Sequence, residues 1–116
     1  MKNLNVIDEA LELLIEVVKQ STEYDEYQRC LSEVKKDEQL WKSLSEFQRQ
    51  HFVLYIKPEE NIAEKERKLY RDHEALLALP NVKEFQRAER EYCQVIRKIQ
   101  DRFTKQTDID ISFLEE

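Results

Sequence analysis

Across 116 residues the chain contains no glycine. At ordinary usage of roughly 7% a chain of this length carries about eight. Glycine forms the tight turns of phosphate-cradling loops, dinucleotide-binding turns and nucleophile elbows. None of those elements can be present, so whole enzyme classes drop out before any other residue is considered. What remains is a chain that must start and stop its elements with other residues.

Helical periodicity fills nearly the whole length. From Val6 to Lys19, Ile7, Leu11, Leu14 and Val18 form one stripe, and Val6, Ala10, Leu13 and Val17 form a second beside it. An ordinary surface helix shows a single stripe on the order of 100° wide, so this first helix must be covered from two sides. Ser21 and Thr22 are natural caps between it and a second helix, Glu23 to Lys36, with Tyr24, Tyr27, Leu31 and Val34 on its face. Asp37 caps a third, Glu38 to about Ile56, where Leu40, Leu44, Phe47, His51 and Leu54 recur at steps of four and three.

Pro58 suits the start of a fourth helix, Glu59 to Ala78, with Ile62, Leu69, His73, Leu76 and Leu77 inward and Pro80 ending it. Asn81 with Glu84 three residues later resembles a capping box and opens a fifth, which runs to about Thr104. The short connections imply antiparallel neighbours. The expected fold is therefore all-α, an antiparallel bundle of about five helices with two long helical hairpins, oligomeric because apolar surface exceeds one seam. Residues 1–106 form one helical domain and residues 107–116 a C-terminal tail, in which Ile109, Ile111 and Phe113 alternate with polar positions.

Candidate chemistry is sparse. His51 and His73 both sit on apolar faces, but a hairpin folding about residue 58 sets His51 opposite residue 65 and leaves His73 about 12 Å away. Both are read as core histidines. Cys30 and Cys93 lie 63 positions apart in no paired-ligand spacing, which fits a reducing, cytoplasmic compartment and the role of small hydrophobes. Carboxylate clusters such as Asp8-Glu9, Glu59-Glu60 and Glu115-Glu116 have no apolar pocket to tune them and read as solvated faces. No cofactor, metal site or enzymatic activity is expected. The most apolar run, Ala10 to Val18, is interrupted by Glu12 and Glu16 and does not insert into a membrane.

Two surfaces carry the functional expectation. Trp41, Phe52, Tyr55 and Ile56 on the third helix form the candidate protein interface, because Phe52, Val53 and Ile56 point away from its seam. On the fifth helix, Lys83, Arg87, Arg90, Arg97, Lys98 and Lys105 share a stripe opposite the apolar face. That stripe supports the alternative of a direct RNA-binding protein, although a formal net charge of −6 opposes general nucleic-acid coating.

The run STEYDEYQRCLSEVKKDEQL, then LSEFQRQ, then LPNVKEFQRAEREYCQVIRKIQ resembles the YlbF/YmcA family of small helical bacterial proteins over residues 6–104. Its most telling pieces open helices: Ser21 to Tyr24, Asp37-Glu38, and Pro80 with Val82, Glu84-Phe85 and Ala88-Glu89. The resemblance implies a non-catalytic regulatory adaptor that self-associates or pairs with paralogues. Its family setting is the regulation of competence, sporulation and biofilm formation in Gram-positive bacteria, with some members adjusting mRNA processing by RNase Y. Some relatives bear iron–sulfur clusters and cysteines in longer C-terminal tails. Here no cysteine follows Cys93, and two cysteines cannot supply the usual four ligands.

Overall fold

The structure is a computed structural model that describes residues 2–57, 60–108, 110 and 112–114. It is all-helical: α1 (Lys2–Lys19), α2 (Thr22–Lys35), α3 (Glu38–Ile56), α4 (Ile62–Asp72), α5 (Glu74–Leu77) and α6 (Pro80–Gln106), followed by a 3₁₀ turn at Ser112–Leu114. The expected starts at Pro58 and Glu59, the acidic pair Glu115-Glu116 and the alternating Ile109 and Ile111 lie outside the described residues.

Polar side chains make the first two boundaries. The Ser21 hydroxyl donates to the Val18 carbonyl at 2.6 Å and accepts the Tyr24 N–H at 3.2 Å, so one residue closes α1 and opens α2. Asp37 accepts the Leu40 N–H at 3.1 Å and opens α3. Without glycine, the left-handed positions fall to Asn61 (φ 65°) and Asp108 (φ 59°), the residue types for which that conformation costs least after glycine.

Two boundaries differ from the expectation. Pro80 begins the last helix instead of merely ending the preceding one, with Leu79 as the extended cap and Asn81 already inside the first turn. Proline is well suited to that first position because its fixed φ is helical and its missing donor would be unpaired there. The expected fourth helix is split at His73. Its ring Nδ1–H donates to the Leu69 carbonyl at 2.9 Å, alongside its own backbone N–H at 3.2 Å, and its backbone departs from helical angles. A side chain bonding back four residues competes with the helical ladder, and α5 resumes as one short turn.

The buried core is small: Cys30 and Val34 from α2, Leu40, Leu44 and Phe47 from α3, Leu69 from α4, and Val82, Phe85 and Ala88 from α6. These are the inward positions of a helical period, and α2 lies along the proximal half of α6 through Tyr27 stacked on Phe85 and Tyr92. Among the described residues, helix α1 contributes none to this core. The distal half of α6 also runs past it, since every buried residue of that 27-residue helix, about 40 Å long, lies at or before Ala88.

Candidate protein-interaction site

The end of α3 presents Phe52, Tyr55 and Ile56 at 62%, 60% and 55% exposure. They are exposed because the same helix spends its other face on the core. Leu40, Leu44 and Phe47 are buried there, and the positions one step around the helix have nothing left to cover them. Val53 is exposed beside them and Tyr70 of α4 borders the same end of the hairpin. Trp41 lies eleven residues earlier, roughly 16 Å along the helix. Its half-buried ring meets Phe85 edge-on at 6.3 Å, with the Lys35 ammonium 5.1 Å from its centre. The structure thus groups Phe52, Tyr55 and Ile56 and sets Trp41 at the edge of the core.

The patch is held by a polar clasp. Tyr55 donates its hydroxyl to Glu66 Oε2 at 2.9 Å, and His51 Nε2 approaches the same oxygen at 3.2 Å. The carboxylate raises the Tyr55 phenol above its ordinary range, because both the hydrogen bond and the neighbouring negative charge favour the protonated form. The His51–Glu66 contact joins α3 to α4. His51 and His73 both pack on the Phe47 ring, at centroid distances of 5.8 and 5.3 Å. Among the described residues no group of three His, Cys, Asp or Glu side chains is placed to hold a metal ion.

On the outer side of α6, Lys83, Arg90, Arg97, Lys98 and Lys105 are exposed. Arg87 is in a different position: it is half-buried and gripped by Glu91 at 2.6 Å, Glu84 at 2.8 Å and Glu26 of α2 at 3.2 Å. These bonds hold the guanidinium well above its usual range and the Glu84 carboxyl below its own. Arg87 therefore ties α6 to α2, and its charge is answered within the chain. Periodicity could not separate Arg87 from its neighbours, since Glu26 is 61 residues away in sequence.

Glu89 is half-buried on the side of α6 nearest Gln48 of α3. Its pKa is raised, first by burial, with a hydrogen bond from Gln48 opposing the rise. A carboxyl whose folded pKa lies above its unfolded value contributes most at low pH, and that contribution is lost as pH rises from the unfolded value through the folded one. Glu89→Gln is thus expected to raise the unfolding temperature at pH 7, with the gain over the parent vanishing near pH 4. Thermal unfolding followed by circular dichroism at both pH values checks this; an equal gain at both would assign it to packing instead of charge.

The scaffold is all-helical, and Phe52, Tyr55 and Ile56 are exposed together at the end of α3. The chain belongs to the YlbF/YmcA family, described as control of competence regulator ComK, whose sequence profile matches residues 6–106. The family is a regulatory one. No curated protein and no solved structure matches the chain. Among the described residues no helix is long and apolar enough to cross a membrane.

Proposed function

We propose that this protein is a non-catalytic regulatory adaptor that assembles through helix surfaces into a larger cytoplasmic complex. The observation that carries the reading is the cluster Phe52, Tyr55 and Ile56, three large apolar side chains left more than half exposed at one end of a hairpin. Contiguous apolar surface of this kind is costly in water and marks contact sites. Family membership supports the physiological setting: competence control, with sporulation and biofilm formation beside it, in Gram-positive bacteria. The partners proposed are paralogous helical proteins and the machinery of RNase Y-dependent mRNA processing.

Affinity capture from native cytosol, with the parent chain and a Phe52→Asp/Ile56→Asp variant side by side, tests this. Mass identification should find paralogous or RNase Y-associated proteins on the parent, depleted at least tenfold on the variant, while both chains keep the same helical content. Equal retention by parent and variant would remove the patch from the mechanism. RNA retained at low salt and lost on reversing Arg90 and Arg97 would replace the adaptor reading with the RNA-binding one.

A further inference from the structure

One side of the α3–α4 hairpin sets an apolar wall against a cationic one. The two helices are antiparallel, since Phe47 reaches Tyr70 and His73 while His51 and Tyr55 reach Glu66. Tyr55 and Tyr70 both meet the His51 ring edge-on, at 5.0 and 5.5 Å, and form a floor between the helices. Phe52 and Ile56 lie one step of about 100° around α3 from His51 and Tyr55, and Arg67 and Arg71 one such step around α4 from Glu66 and Tyr70. In an antiparallel pair those steps turn toward the same side. Phe52 and Ile56 therefore border one edge of the aromatic floor, and Arg67 and Arg71 the other.

The cationic wall is unanswered within the chain. Arg49 pairs with Glu46, and Arg87 is held by Glu26, Glu84 and Glu91. Among the described residues no carboxylate makes an ion pair with Arg67 or Arg71. Both line an open depression of about 500 Å³ with Glu66, Tyr70 and Glu74. Glu66 already accepts from Tyr55 and lies against His51, and Glu74 sits beyond Arg71 at the far end. Tyr70 is 42% exposed on the floor. Tyrosine and arginine are the residue types in which interface energy concentrates, and a guanidinium fork pairs bidentately with a carboxylate.

Charge and length together identify the occupant. From Ile56 back to Phe47, which lies against Tyr70, is nine residues of α3, about 14 Å or two and a half helical turns. Arg67 and Arg71 are one turn apart, the spacing at which a facing helix repeats its own side chains. An apolar stripe covers the floor and the Phe52 wall, and carboxylates along one edge of that stripe answer the two arginines. A basic helix would meet like charge there, and a neutral one would desolvate the guanidinium groups without pairing them.

We infer that this groove binds an acidic amphipathic helix of a partner protein, about three turns long, with its apolar stripe on Phe52, Tyr55 and Tyr70 and its carboxylates on Arg67 and Arg71. The inference rests on the adaptor reading above and names the chemistry of the partner that its patch accepts.

Fluorescence anisotropy with two designed amphipathic helical peptides of equal length tests it. Both carry the same leucine stripe, flanked by glutamates one turn apart in one peptide and by lysines in the other. The parent is expected to bind the glutamate peptide at least about tenfold more tightly, and Arg67→Glu/Arg71→Glu to reverse that preference. Both positions are exposed, so circular dichroism should match the parent. Arg90→Glu/Arg97→Glu on α6 changes net charge equally and should keep the parent's preference. Equal binding of the two peptides, binding of neither, or a reversal by the α6 variant as well would overturn the inference. So would weaker self-association of Arg67→Glu/Arg71→Glu in sedimentation equilibrium, which would give the groove to a second copy. Capture that depends on Phe52 and Ile56 but not on Arg67 and Arg71 would leave the adaptor reading standing and remove the acidic helix.

Discussion

Replacing Phe85 with alanine costs the fold about 3–5 kcal/mol, whereas the same change at Phe103 alters monomer stability by no more than about 0.5 kcal/mol. The two residues are 18 positions apart, five helical turns, and so point in the same direction from α6. Phe85 is 1% exposed, packed between Tyr27 of α2 and Trp41 of α3, and Phe103 is 64% exposed. The lost burial and the cavity both follow from what surrounds the ring, not from the ring itself. A domain of this size has a total stability of roughly 6–17 kcal/mol, so Phe85→Ala removes a large share of it. Urea unfolding of both variants beside the parent measures both changes. Similar costs at the two positions would mean that distal α6 is covered within a single chain.

The contrast along α6 also marks where periodicity stops informing. Phe85, Ala88, Tyr92, Val95, Ile96, Ile99 and Phe103 share one side of the helix and were legible as such, because apolar spacing near 3.6 residues has one structural solution. The same pattern says nothing about which turns another helix reaches, since coverage depends on the lengths of α2 and α3. The width of the α1 arc was legible in the same way, whereas the structure leaves most of that arc exposed. Leu14, Ile15 and Val18 of α1 share an open groove with Tyr92, Ile96 and Ile99 of α6, a neighbour that spacing along either helix could not report.

The other differences have local causes. His73 continues an apolar period, and a ring N–H reaching back to Leu69 breaks the helix, a bond that spacing cannot report. Trp41 shares a helix face with Phe52 but sits where α6 passes close by, so its ring is drawn into contact with Phe85. Arg87 belongs to the basic stripe by spacing and to an acidic cage by tertiary placement. In each case sequence assigned the face and the third dimension assigned the neighbour.

Phe47→Ala is expected to cost about 3–5 kcal/mol as well, but to release one part of the molecule before the rest. Phe47 is 2% exposed, and its ring reaches Tyr70 at 5.3 Å, His73 at 5.3 Å and His51 at 5.8 Å. It is the central side chain that α3 offers to α4 and α5. Leu69 is the sole buried residue of those two helices, and α5 is a single turn with no buried residue of its own. Helices this short are marginal without tertiary packing, so their protection depends on the Phe47 contact. In the same core, Cys30 and Val34 come from α2 and Val82, Phe85 and Ala88 from α6, so the α2–α6 pair keeps buried contacts that the hairpin does not supply. Hydrogen exchange should therefore show amides of Ile62–Leu77 losing protection in the variant while those of the proximal half of α6 keep most of theirs, as separately stable units do. Uniform loss across all helices would show one cooperative unit. Tyr55 and His51 would then lose their shared partner Glu66 only when the whole chain unfolds; in the sub-global case that clasp opens first, and the Phe52, Tyr55 and Ile56 patch loses the α4 side of its support while α2 and α6 remain paired.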